Sequence, residues 1–253
     1  MWHDISTWTL VICIGVAFLA GFVDAVAGGG GLIQLPVMLL AFPNQSLATV
    51  SGTNKSISIV GTTAAARTYA KQIPFNPKFV VPMAASAFAG SAGGAALVTR
   101  ISRAAFEPII LGMLIAVVIV TLFRPDFGNV TRPQPRGPVS ASVVGAGIGF
   151  YDGIMGPGTG MFLVFSLIAY IGLDFLTSSA TAKFVNVATN AAALVVFIPT
   201  NHVMWAITAV MAPANLLGGL VGARTALNRG SAFVRIVFLV MVGLMIARLV
   251  TSL

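Results

Sequence analysis

GFVDAVAGGGGLIQLP, residues 21–36, ends a long apolar run with an aspartate and four consecutive glycines. Glycine is the poorest helix former after proline. A bilayer also penalises broken helices and bare charge. A chain that keeps both features at one place must gain something there.

The surroundings are those of a membrane protein. The 253 residues are 57% hydrophobic and 8% charged, with mean hydropathy +0.97. A soluble domain carries about a quarter charged residues. Apolar runs of spanning length recur, so helices rather than a barrel cross the bilayer. The net charge is +8. Its basic residues sit in short loops between apolar segments, which is topogenic bias and not a nucleic-acid surface. The single cysteine, Cys13, excludes an intramolecular disulfide. Ala25-Val26-Ala27 resembles a leader cleavage site, but MWHD lacks a basic n-region and Asp24 interrupts the approach.

The opening stretch recurs. At 149–160 the chain reads GFYDGIMGPGTG, and a shift of 128 residues aligns the halves without a gap. Gly21, Phe22, Asp24, Gly28 and Gly30 fall on Gly149, Phe150, Asp152, Gly156 and Gly158. Ser51, Thr53 and Lys55 fall on Ser179, Thr181 and Lys183, and Gly90 and Gly94 on Gly218 and Gly222. Between 21 and 69, 14 of 49 positions are identical, concentrated on rare polar residues. The joint is RPDFGNVTRPQPRGP, 124–138, which reads as an exposed linker. The expected division is a first repeat over 1–125, a linker over 126–138 and a second repeat over 139–253, within one membrane domain.

Each half predicts the same elements. A helix from about Trp8 to Ala27 is broken by the glycines and followed by a short apolar piece, Leu32 to Phe42. That piece spans about 16 Å, roughly half the hydrocarbon core. Its counterpart is Gly160 to Ile171. Spans near 47–66, 79–99 and 104–123 follow, matched by 177–198, 203–226 and 231–251. If the broken pair folds back as a hairpin, the halves have opposite orientations. One side then collects Arg67, Lys71, Lys78, Arg124, Arg132, Arg136, Arg224 and Arg229, against Arg100, Arg103 and Arg248 on the other. That bias favours the hairpin and places both termini in the periplasm. The expected fold is therefore an all-α polytopic membrane protein of two inverted repeats. Each has a Gly-broken hairpin and three spanning helices, the build of many secondary transporters. Small residues also serve close helix packing, and 90–94 and 218–222 are read that way.

The chemistry is expected on the helix after each short piece. Ser51, Lys55, Ser58 and Thr62 share one helical face, as do Ser179, Lys183, Asn186 and Asn190. A lysine inside a membrane helix costs about 2.5–3.5 kcal/mol. Snorkelling would need a position near a helix end. Two readings remain. The lysines pair with Asp24 and Asp152 as structural ion pairs, or they bind an anion. In the second, the N–H groups around Gly29, Gly30, Gly31 and Leu32 and around Gly158, Thr159, Gly160 and Met161 add helix-terminal donors. Ser51, Thr53, Asn54, Thr181 and Asn186 tune the seat. Asp24 either bonds free backbone N–H groups at the break or carries a proton. Gln34, Asn54 and Gly31 face Phe162, Ala182 and Thr159 across the repeat, differences that an asymmetric substrate would need.

On GFVDAVAGGGGLIQLP with GTNK, and GFYDGIMGPGTGMFL with TAKFVN, the chain resembles the TauE/SafE sulfite-exporter family, in its YfcA-like branch of probable membrane transporters. The resemblance covers nearly the whole chain. It implies a bacterial inner-membrane exporter of sulfur oxyanions or small organosulfonates such as sulfite or sulfoacetate. It also leads to the expectation of a histidine in the loop before the lysine helix. The loop here, FPNQSLAT, has none, and the chain's only histidines are His3 and His202. Asp24, Asp152 and Glu107 are then the protonatable candidates.

Other classes fare less well. A passive anion channel would share the lysines and glycines. An intramembrane aspartyl protease could use Asp24 and Asp152, with Tyr151-Asp152 as its YD pair, but GxGD is absent. GTNKS lacks the P-loop pattern. No enzyme activity, cofactor, metal or nucleic-acid partner is expected. The partners are a small anion and the bilayer, with a homo-oligomer left open.

Overall fold

The computed structural model describes residues 7–99, 138–154 and 156–252. Among these it is helical, in the order α1 (Thr7–Ala27), α2 (Gly30–Ala41), α3 (Leu47–Ala70), α4 (Pro77–Val98), α5 (Pro138–Ile154), α6 (Thr159–Ser166), α7 (Phe175–Phe197) and α8 (Trp205–Ser252). A π-helical turn, Leu167–Ile171, prolongs α6. The span expected at 104–123 and almost all of the linker lie outside the described residues, and Pro138 already begins α5.

Local chemistry explains the boundaries. Gly28 closes α1 with φ +84°, and its N–H donates to the Asp24 carbonyl at 2.8 Å. Gly156, its repeat counterpart, and Gly158, which precedes α6, are also in the left-handed region, at φ +79° and +81°. Ser46, Asn76 and Asp174 cap α3, α4 and α7, accepting from Thr49, Lys78 and Thr177 N–H. Gly230, at φ 75°, breaks α8. Both short pieces are present, but α2 begins at Gly30 rather than Leu32, so Gly30 and Gly31 are helical; its 12 residues rise about 18 Å.

Among the described residues, four helices are long and apolar enough to cross a membrane: α1, α4, α7 and the Trp205–Met241 part of α8. Trp8, Val11, Ile12, Val81, Val139, Val143 and Val195 are exposed, as lipid-facing side chains would be. The chain is a multi-pass membrane protein. α3 has the length but not the hydropathy, because its polar stripe dilutes it. It is accordingly among the most enclosed helices, packed on α7 and α8.

The halves interlock. α1 packs on α8, and α4 packs on α5, which is the same contact after the 128-residue shift. Gly218 and Gly222 let α8 rest on the Phe18 and Phe22 carbonyls, while Gly90 and Gly94 let α4 rest on those of Ala146 and Phe150. These glycines serve close packing, as read from the sequence.

Candidate functional site

The two breaks meet. Gly28 lies against the Gly160 backbone so closely that a Cβ on either would collide with the other. Gly31 faces Pro157. Two lysines reach into this crossing from α3 and α7, each towards the other half. Lys55 Nζ lies 2.6 Å from Asp152 Oδ1, and Lys183 Nζ lies 3.0 Å from Asp24 Oδ2. Lys55 is 3% exposed and Lys183 0%, so neither snorkels. Each lysine is thus paired with the aspartate of the other half.

The crossed pairs border a small cavity of about 30 Å³, room for on the order of two waters. Asp24, Gly28, Gly31, Asn54, Lys55, Asp152, Gly156, Thr159, Gly160 and Asn186 line it, with Ser58, Thr62 and Asn190. Lys55, Ser58 and Thr62 of one polar stripe and Asn186 and Asn190 of the other therefore face one space. A carboxylate dyad would share a proton; here each aspartate holds its own lysine.

The two pairs differ. At the first break, carbonyls released at the end of α1 are taken up by α3 and α7. Lys183 Nζ donates to the Asp24 carbonyl, Ser179 Oγ to those of Ala25 and Val26, and Tyr69 OH to that of Ala25. The Asp24 carboxylate also accepts from Thr62 Oγ1 at 3.2 Å. It bonds side chains, not the backbone N–H groups expected from the sequence. At the second break, Ser51 Oγ, the counterpart of Ser179 Oγ, has no partner among the described residues, and neither does Asp152 Oδ2. Tyr151 OH closes that loop instead, donating to the Pro157 carbonyl.

Several expected site residues stand outside the cavity. Lys183 is behind Asp24, and Gly29, Gly30, Leu32, Gly158, Ser51, Thr53 and Thr181 do not line it. The Leu32 N–H is already bonded to the Gly29 carbonyl, at 3.1 Å. Thr53 Oγ1 donates to the Thr49 carbonyl and accepts from Met204 N–H, joining α3 to α8. No side chain caps α2 or α6, and of their first-turn N–H groups those of Leu32 and Thr159 are bonded to the Gly29 and Gly156 carbonyls.

Sequence reasoning missed an amide network. Gln34 Nε2 donates to Asn54 Oδ1 at 2.8 Å, and Asn215 Nδ2 donates to Gln34 Oε1 at 3.2 Å and to the Ala17 carbonyl at 3.0 Å. With its oxygen held, Asn54 keeps its amide donors for the cavity it lines. The repeat counterparts are Phe162, Ala182 and Ala87. Asn215 therefore carried no signal in the alignment of the halves. Gly28 and Gly156 did, as aligned glycines in the motif.

The sequence model described as sulfite exporter TauE/SafE matches residues 13–249. The chain is 34% identical over 236 residues to probable membrane transporter protein ORF9 of Sinorhizobium sp, covering 92% of this chain and 89% of that protein. It is 30% identical over 248 residues to a probable membrane transporter protein of Haemophilus influenzae, covering 98% and 96%. To the probable membrane transporter protein YfcA of Escherichia coli K12 it is 31% identical over 252 residues, covering 97% and 91%. No solved structure matches the chain.

Proposed function

The chain belongs to the sulfite exporter TauE/SafE family, and from that premise we propose that it exports small sulfur oxyanions or organosulfonates, sulfite and sulfoacetate among them, across a bacterial inner membrane. It is a membrane transporter, not an enzyme. The observation that supports the substrate class is the meeting of two lysines and two uncapped short helices at one buried crossing. Helix N-termini and a nearby ammonium group attract an anion. Lys55, the Asn54 amide, Thr159, Asn186 and the first turns of α2 and α6 make up the seat. Lys183, Ser51, Thr53 and Thr181 support it from behind.

In the proposed architecture residues 1–125 and 139–253 are inverted repeats, and both termini are periplasmic. The reciprocal packing of α1 on α8 and α4 on α5 supports the repeat, and the loop charges support the orientation. Rocking of one half against the other about the glycine crossing then moves the anion by alternating access. The backbone contact of Gly28 with Gly160 favours such a closed crossing over a passive pore.

The test is thermal shift of purified protein with sulfite, sulfoacetate, methanesulfonate, taurine, sulfate, phosphate and chloride, with Lys55→Ala and Lys183→Ala beside it. A bound ligand stabilises by RT ln(1 + [L]/Kd), so millimolar affinity is visible at high concentration. The expected result is stabilisation by sulfur oxyanions or sulfonates, lost in both variants. No stabilisation by any anion overturns the reading.

A further inference from the structure

We propose that the anion crosses together with a proton, and that Asp152 carries that proton. This rests on the anion seat proposed above and adds its coupling. Among the described residues, the crossing holds two lysines and two aspartates, each lysine paired with one aspartate. These four charges cancel in the empty site. A monovalent anion entering alone would leave one uncompensated negative charge in the membrane interior, which is costly. One proton taken up with the anion restores neutrality.

The two aspartates are not equivalent recipients. Asp24 Oδ2 is held by Lys183 and Thr62, and Lys183 also binds the Asp24 main chain. That pair ties α1 to α7. Asp152 gives only Oδ1 to Lys55, and its Oδ2 is buried without a hydrogen-bond partner among the described residues. Asp152 is 3% exposed and lines the cavity. A charged carboxylate oxygen with no donor is destabilised there, and a proton on it removes that charge.

The steps balance without any other reactant. The anion and a proton enter from one side. The proton joins the Asp152 carboxylate, which becomes neutral and loosens its hold on Lys55. Lys55, beside Gly156, then bonds the anion. On the other side the anion leaves, the proton leaves Asp152, and Lys55 returns to Oδ1. The empty and fully loaded sites are both neutral and can cross. The site with the anion alone or the proton alone carries a net charge and is held back.

The charged and titratable groups around Asp152 fit this assignment. Lys55 comes from α3, and Tyr151 on α5 is committed to Pro157. Across the cavity Asp24 of α1 is bound to Lys183 of α7. α4 brings only Lys78, exposed at its first turn, and α6 brings none. Glu107 lies outside the described residues.

The experiment uses the full chain in liposomes with a trapped pH dye and labelled methanesulfonate, whose charge is constant across the working pH range. Wild-type uptake should acidify the lumen, with one proton per anion, and should not respond to a clamped membrane potential. Asp152→Asn should abolish the acidification and make its uptake depend on an inside-positive potential, whereas Asp24→Asn should keep any remaining uptake proton-coupled. If Asp152→Asn does not fold, Asp152→Glu replaces it, and the pH midpoint of uptake should move. Wild-type uptake without protons overturns the coupling and leaves the anion seat standing. Coupling that persists in Asp152→Asn, or a midpoint unmoved in Asp152→Glu, overturns the assignment to Asp152. If wild type neither binds nor carries methanesulfonate, sulfite or sulfoacetate, the functional reading falls, and the coupling with it.

Discussion

Lys55 on α3 and Asp152 on α5 form a 2.6 Å ion pair between the two halves of the chain, both side chains 4% exposed. Its reciprocal, Lys183 with Asp24, lies on the far side of the same crossing. A pair so enclosed contributes little net stability as a unit, because desolvation offsets much of the attraction, but losing one partner strands the other charge.

Lys55→Ala should therefore destabilise the protein by about 3–5 kcal/mol, and Lys55→Ala with Asp152→Ala together by much less than the sum of the singles. Thermal unfolding in detergent for the full double-mutant cycle measures this. Additive effects would mean that the two groups do not interact in the folded protein.

Gly28→Ala should prevent accumulation of folded protein. Its φ of +84° disfavours any side chain, and the added Cβ would overlap the Gly160 backbone. Gly15 has nothing within 4 Å of such a Cβ, and Gly15→Ala should be neutral or stabilising by about 0.5–1 kcal/mol. Equal yields and melting points for the two variants would contradict the crossing.

Gln34→Leu should weaken anion binding several-fold without touching the cavity. Gln34 is fully buried, and its amide both holds the Asn54 oxygen and receives Asn215. Losing it frees Asn54 to turn and leaves two buried amides short of a partner, at about 1–3 kcal/mol of stability. Titration of the anion identified by thermal shift, followed by melting, separates the two effects. Unchanged affinity would show that Asn54 needs no such orientation.

Acid stability should depend on Asp174, in the loop before α7. Burial pushes its carboxyl up. Bonds from Ser231 Oγ and from the Thr177 side chain and N–H outweigh that and hold it below the usual carboxylate range. A depressed folded value means stability that is present above the unfolded pKa of about 3.9 and is lost as pH falls through the folded value. Asp174→Asn should lower the melting point at neutral pH and flatten its fall at acid pH. A variant as acid-sensitive as wild type would assign that fall to other groups.

Much of the site was legible before any coordinates. Asp24, Gly28, Lys55 and their counterparts stand out because polar residues and glycine runs are expensive in an apolar chain, and a second copy at a constant offset excludes accident. The end of α1 was legible too, since Gly28 after Ala27 acts within a few residues. The Gln34–Asn54–Asn215 network was not. Its members lie in three helices, and their counterparts are apolar.

The sequence by itself determined that the chain is helical, membrane-embedded and written twice, with a lysine stripe and a broken helix in each copy. Composition, hydropathy period and local capping decide those properties, and they act along the chain. Only the tertiary structure decided that each lysine answers the aspartate of the other half, that Lys55 rather than Lys183 faces the cavity, and that Asp152 is the carboxylate with an oxygen to spare. Which partner a buried charge finds depends on how the helices cross. Here that crossing is set by the backbone contact at Gly28 and Gly160, two residues from opposite halves that no pattern along the chain connects.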